Sequence, residues 1–304
     1  MPRESEPHAT APACHMEKPL WRCARGELPP NIALMHLFMA APDAASAAGV
    51  IQRMLVRVGT GVEADRIRAA HDLWRTTEGA WQVVKSTLAG LDHDRTAMNK
   101  VAHWSKAFDR AAGISPAAGV ALYSLGSEHL LRQITEEVVG RMREWDLVNR
   151  EHMLLEIGCG AGRFVSALAA NARLVIGIDI SDAMLRLARD RCCSIANACF
   201  VRTSGHDLAA FADSSIDLVY AIDCFPYLVL TNHDLAARHF DESVRVLRPG
   251  GRLLVLNYSY RGSFERDRCD VAKLADTFAL RLIRNGTQDL SLWDGMAFLL
   301  QKPG

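Results

Sequence analysis

The pattern of apolar and polar positions divides the chain near residue 150. Residues 1–30 show no period and are rich in Pro, Glu and Ala, which reads as a disordered tail. From residue 31 to about 145 apolar residues recur at spacings of three and four, the signature of amphipathic helices. Asp43 is placed to cap one helix carrying Val50, Ile51, Met54, Leu55 and Val58. Further helices are expected at about 62–76, 79–91 and 95–112. Ser127 can cap another, with Leu130, Leu131, Ile134, Val138, Val139, Met142 and Trp145 on one face. After residue 150 short apolar runs alternate with helical stretches. The runs are 153–157, 174–180, 199–203, 216–222 and 253–257; the helical stretches are about 161–171, 182–192 and 233–247. Strands apolar on both faces, joined by helices, predict a parallel sheet covered on both sides. Two further runs, 280–283 and 296–300, read as an antiparallel pair at one edge, linked by Asn285-Gly286 and a longer loop.

At 304 residues the chain is long enough for one large domain or two ordinary ones. Thirty-five basic residues balance 35 acidic ones, and the balance holds in each half. A large basic surface for nucleic acid or membrane is therefore not expected. The eight cysteines are scattered and form no CxxC pair, so neither a zinc ribbon nor a redox pair is signalled. No metal site is expected. The longest apolar run, 32–41, contains His36 and is far short of the ~20 residues that span a bilayer. The expected setting is the cytoplasm.

Candidate chemistry enters at residues 154–164, LLEIGCGAGRF. A buried strand runs into Gly158-Cys159-Gly160-Ala161-Gly162, and a helix follows. Such a loop turns tightly and lets backbone approach a ligand. Asp179 follows at the tip of the second strand, placed to bind both hydroxyls of a ribose. Two cofactor classes share this layout. A dinucleotide fingerprint wants G-x-G-x-x-G, but the sixth position is Arg163, which weakens the nicotinamide reading.

Several motifs in order resemble those of the class I S-adenosylmethionine-dependent methyltransferases. LLEIGCGAGRF is similar to the first motif of that family. VIGIDIS with Ala183-Met184-Leu185 is similar to the second. SGHDL (204–208) with FADSSIDLV (211–219), and RVLRPGGRLLV (245–255), are similar to the later ones. The resemblance covers about residues 150–302. It implies an α/β fold: a Rossmann-like, doubly wound seven-stranded sheet with an antiparallel edge hairpin, preceded by an all-helical region. The expected division is a tail at 1–30, a helical lid region at 31–148 and a cofactor domain at 149–304. Gly158, Cys159, Gly160 and Gly162 would approach the methionine part of S-adenosylmethionine. Glu156 would hold the loop or the cofactor's ammonium. Asp179 would bind ribose, and Ile180 and Met184 would flank adenine. His206, Asp207 or Leu208 would cover its edge. The family often has an acid where this chain has His206.

Acceptor-side residues are sought where strands end, since ligands in open α/β sheets lie beyond the carboxyl ends. Asp223 is the carboxylate placed to act as a base or to bind an amine. Tyr227 and Tyr258 can hydrogen-bond or stack on an acceptor, and Tyr123 can close over the cofactor. Cys224 reads as a packed thiol, and Trp293 as a cap on the sheet edge. The stretch after the fourth strand, Asp223-Cys224-Phe225-Pro226-Tyr227, is not an Asn-Pro-Pro-Tyr type motif. These features favour methyl transfer to a small molecule, with no nucleic acid and no membrane among the partners and a homodimer allowed. The alternatives are an inactive binding or scaffold subunit, and methylation of a protein.

Overall fold

A computed structural model describes residues 15–91 and 99–304. Among the described residues, eight helices and a short 3-10 turn precede the sheet. The first, α1, Lys18–Ala24, carries Pro19 in its first turn and fully buries Leu20, Cys23 and Ala24. This corrects the expectation of a tail across 1–30. Seven residues are too few for the three-and-four spacing to show against a Pro-rich flank; residues 1–14 lie outside those described. Next come α2 (Pro30–Ala40), α3 (Ala44–Val58), α4 (Val62–Thr76) and α5 (Ala80–Leu91). Asp43 caps α3 by accepting from the Ser46 amide at 2.6 Å. The helix expected from residue 95 is α6, Lys100–Ile114, capped by Asn99; residues 92–98 lie outside those described. A short α7, Pro116–Val120, leads to α8, Glu128–Glu144, capped by Ser127.

The strands are β1 (Met153–Ile157), β2 (Leu174–Asp179), β3 (Ala198–Arg202), β4 (Ile216–Ile222), β5 (Leu247–Leu256), β6 (Arg281–Thr287) and β7 (Ala297–Gln301). They form one sheet in the order β3-β2-β1-β4-β5-β7-β6. β1 to β5 are parallel, and β7 runs antiparallel between β5 and β6. The order reverses between β1 and β4, the switch point where ligands bind in such sheets. Asn285-Gly286 does not link the edge strands. It lies inside β6, at a register shift against β7, and the connection is the longer loop 288–296. The intervening helices are α9 (Arg163–Leu168), α10 (Asp182–Arg191), α11 (Phe225–Thr231), α12 (His233–Val246) and α13 (Phe264–Thr277). Neither α11 nor α13 was expected from periodicity: α11 is two turns of nearly unbroken apolar residues, and α13 is mostly polar with three buried positions.

Each sheet face has its own apolar cluster, and a third lies among α1 to α5. Specific polar contacts join the helices to the sheet. Asn31 of α2, 1% exposed, donates to the carbonyls of Tyr123 and Leu292. Glu137 of α8 accepts from the amides of Ser291 and Leu292. α6 bridges two helices of the sheet domain. Ser105 donates to the Ile180 carbonyl, Asp109 accepts from Ser181 Oγ and the Ala183 amide at the start of α10, and Lys100 reaches the last carbonyls of α11.

Candidate functional site

These contacts place the helices over the carboxyl ends of β1, β2, β4 and β5, beside a cavity of about 700 Å³, within the range of small-molecule sites. Its floor is the glycine loop. Gly158 and Gly160 hold φ of +70° and +50°, the left-handed region that L side chains avoid. Asp179 Oδ2 accepts from the Gly160 amide and Oδ1 from the Ser181 amide, each at 2.8 Å. The second-strand carboxylate thus fixes the loop of the first. Burial raises its pKa, and the backbone amides of Ser181, Gly160 and Ile180 oppose that.

Glu156, 2% exposed, accepts from Tyr220 Oη at 3.3 Å. Burial pushes its pKa up to about 8, against the pull of the Arg163 charge and the Tyr220 hydroxyl. Ile180 and Met184 line the cavity, Met184 beneath α6 and α7. Cys159 also lines it and packs against Gly177; burial raises its thiol far above the ordinary value.

Four of the expected cofactor residues do not face the cavity. Gly162 is the N-cap of α9, and the space a side chain would need is filled by Ala188 and Phe200, so its role is packing. Gly205, at φ +75°, turns the chain after β3, so that Thr203 and Gly205 line the cavity. The turn leaves His206 exposed, pairs Asp207 with Arg238 at 3.1 Å, and sends Leu208 into the core.

On the acceptor side the structure brings Asp223, Tyr227 and Tyr123 to the cavity wall. Asp223 and Asn257 end β4 and β5 in left-handed conformations, φ +58° and +66°, which Asp and Asn tolerate. Asp223 Oδ1 accepts from Asn257 Nδ2 at 2.7 Å and from Tyr260 Oη at 2.9 Å. Burial raises the Asp223 pKa to about 6, opposed by those two bonds. The turn at Asn257 breaks strand alternation, so Tyr260 rather than Tyr258 returns to the cavity. Tyr258 is 2% exposed and packs on Phe225 and Phe298, which corrects its candidacy. Tyr227 sits edge-on to Trp104, Phe108 and Tyr260. Tyr123 stacks on Trp293 at 5.1 Å, so Trp293 borders the cavity instead of merely capping the sheet edge. Burial lifts both phenols well above the ordinary range. Cys224 lies over Gly158, and its thiol is raised by burial.

Sequence reasoning missed Arg163, Asn257 and Tyr260, and also His36 and Asp294, which line the far wall. His36 is the one ionisable residue of the mostly apolar α2, the only local signal it offered.

Residues 155–255 match the sequence family described as a methyltransferase domain. The demethylmenaquinone methyltransferase of Tropheryma whipplei is 32% identical over 162 residues, covering 50% of this chain and 65% of the relative. Residues 155–255 form a methyltransferase domain. The match thus spans a little under two thirds of that relative's length. Methyltransferase GfsG of Streptomyces halstedii is 31% identical, covering 44% of this chain and 46% of the relative. Two solved structures share the methyltransferase fold. Phosphoethanolamine N-methyltransferase 1 of Haemonchus contortus has a TM-score of 0.52 at 14% identity, covering 69% of this chain and 50% of its own. Magnesium protoporphyrin IX methyltransferase of Synechocystis has a TM-score of 0.51 at 16% identity, covering 68% and 99%.

Proposed function

We propose that the protein transfers a methyl group from S-adenosylmethionine to a small-molecule acceptor held in the same cavity. The observation that carries this reading is the pairing of Asp179 with the Gly160 amide at the floor of a cavity that continues to Asp223. The residues present fit the cofactor: an acid for a ribose, a second buried acid at Glu156 for an ammonium, and bare glycine backbone between them. S-adenosylmethionine, when bound, supplies a methyl group on a sulfonium whose leaving group is a neutral thioether.

The protein's part is to align the acceptor, exclude water and take a proton. Residues of α2, α6 and α7 line the cavity and cover part of it. Asp223 is the proton acceptor. A pKa of about 6 leaves it ionised near neutrality yet still basic enough to work there. Asn257 and Tyr260 hold it by Oδ1. The aromatic walls, Trp104, Phe108 and Tyr227 on one side and Tyr123 and Trp293 on the other, suit a flat ring. Together with the quinone methyltransferases among the relatives, this supports an aromatic acceptor with an ionisable hydroxyl. The same proposal takes the helical residues before β1 as the lid, and the protein as cytoplasmic with a homodimer allowed; among the described residues no helix is long and apolar enough to cross a membrane.

The test is incubation with methyl-labelled S-adenosylmethionine and a panel of hydroquinones and other hydroxyaromatic compounds, read by mass spectrometry. Label in a product, lost in Asp223→Asn, supports the proposal. No labelled product from any of them removes the aromatic acceptor. Binding of the cofactor without transfer to any class of acceptor would favour a scaffold.

A further inference from the structure

α2 presents Ile32, Met35, His36 and Met39 to the cavity, one stripe at helical spacing. His36 is the only polar member of that stripe. Asp294 reaches the cavity from the loop between β6 and β7. Asn31 of α2 donates to the Leu292 carbonyl at 2.9 Å and to the Tyr123 carbonyl at 3.1 Å, which pins this loop against α2. His36 and Asp294 are close enough for the charge of each to act on the other, yet no hydrogen bond or ion pair joins them. Among the described residues neither side chain has a partner on another residue. Neither takes part in the methyl transfer proposed at Asp223.

Both groups are half-buried. An acceptor that fills the cavity takes them out of water. It must then supply their hydrogen bonds itself, because a desolvated polar group without a partner is costly. The surrounding charges select what can do so. Asp294 disfavours a second anion, and so does Asp223, where the Asp294 charge is also felt. Arg22 of α1 lines the cavity too, pairs with Glu27 at 3.3 Å, and is felt at both His36 and Asp294, which opposes a cation. What remains is a neutral group that both donates and accepts. A hydroxyl does this, donating to the Asp294 carboxylate and accepting from a ring N–H of His36. Burial lowers the His36 pKa, which leaves a neutral imidazole with one such N–H.

We infer that His36 and Asp294 together bind a second hydroxyl of the acceptor, remote from the one deprotonated at Asp223, so that the acceptor class is a dihydroxylated aromatic ring. This rests on the aromatic-acceptor reading and narrows it. The stacked pair of Tyr123 and Trp293 gives the ring its direction. Tyr123 Oη accepts from Arg163 beside the glycine loop, and Asp294 follows Trp293 directly. A ring lying along this wall has one end toward the glycine loop and the other toward His36 and Asp294. Both residues lie outside 155–255, so this contact comes from what the chain adds to the matched methyltransferase domain.

The experiment is calorimetric titration of the full chain, saturated with S-adenosylhomocysteine, with two series of probes. One is 2,6-naphthalenediol, 2-naphthol and 6-methoxy-2-naphthol; the other is hydroquinone, phenol and 4-methoxyphenol. Each methyl ether keeps the second oxygen but cannot donate from it. Wild type is expected to bind at least one diol about 5- to 50-fold more tightly than its single-hydroxyl and ether counterparts, since a site built around a hydroxyl rejects the analogue that lacks it. His36→Leu and Asp294→Ala should each bring that ratio to within about 3-fold, while His36→Gln, which keeps an N–H donor, should retain part of it. Unchanged affinity for S-adenosylhomocysteine shows that a variant is folded. Equal affinity of wild type for both diols and their counterparts would overturn the inference, whatever the variants do, and leave the aromatic acceptor standing. A diol preference that survives both substitutions would also overturn it. Binding of S-adenosylhomocysteine but of none of the six probes would remove the aromatic acceptor and this contact with it.

Discussion

Asp223→Asn should make the protein more stable and far less active, and the stability gain should depend on pH. The carboxyl pKa rises from 3.8 to about 6 in the fold, chiefly through burial. Two units at ~1.36 kcal/mol each give an upper bound of ~3 kcal/mol. Residual solvent contact brings the expected gain to about 1–2 kcal/mol. The sign follows from linkage. Below pH 3.8 the group is neutral in both states and contributes nothing. Between 3.8 and 6 the unfolded chain ionises first, so wild type loses stability as pH rises; above 6 the loss is complete and constant. Asparagine keeps the left-handed backbone and still accepts from Asn257 and Tyr260 through its Oδ1. In urea melts the variant should match wild type near pH 4 and exceed it at pH 7–8, with a melting temperature raised by about 2–6 °C. Methyl transfer should fall ~10²- to 10⁴-fold, the worth of a general base. A variant less stable than wild type at pH 8, or a gap that does not change with pH, would refute the reasoning about burial.

Glu156 should release a proton when S-adenosylhomocysteine binds, because a neighbouring ammonium favours the carboxylate and draws its pKa down from about 8. Binding heats at pH 7 should then differ between buffers of different ionisation enthalpy, and Glu156→Gln should abolish the difference; identical heats for wild type contradict the assignment. Gly162→Ala should cost about 1–3 kcal/mol in urea unfolding, because the new Cβ would sit 2.9 Å from Ala188 Cβ at φ +71°. Affinity for S-adenosylhomocysteine should stay within about 3-fold, since Gly162 does not line the cavity; a much larger loss would return Gly162 to the binding site. Leu20→Ala should cost about 2–5 kcal/mol, because Leu20 is fully buried; a loss below ~1 kcal/mol would mean that α1 does not hold in solution.

What was legible in the sequence was what is local. The glycine loop and Asp179 are twenty residues apart on consecutive strands, and strand-loop-helix geometry brings them together without help from the rest of the chain. β1 and β4 were legible to the residue because they are short, mostly apolar runs that end abruptly at polar residues or glycine. The errors fall where one backbone angle re-aims everything after it. At Asn257 a left-handed residue exchanges Tyr258 for Tyr260, and at Gly205 another sends His206, Asp207 and Leu208 away from the cavity. Alternation cannot register such turns. His36, Asp294 and Arg163 were illegible for a different reason. They come from α2, the loop 288–296 and α9, and only the tertiary fold puts them around one cavity. α1 was lost because a single pair of helical turns beside prolines carries too few positions for a period.

The central claim is that the carboxyl ends of β1 and β2 hold S-adenosylmethionine through Asp179. Calorimetric titration of wild type and Asp179→Ala with S-adenosylhomocysteine tests it most directly. Saturable binding to wild type, weakened in the variant by about 1.5–3 kcal/mol or ~10- to 150-fold, is the result the account predicts. No binding to wild type, or the same affinity in the variant, would contradict it.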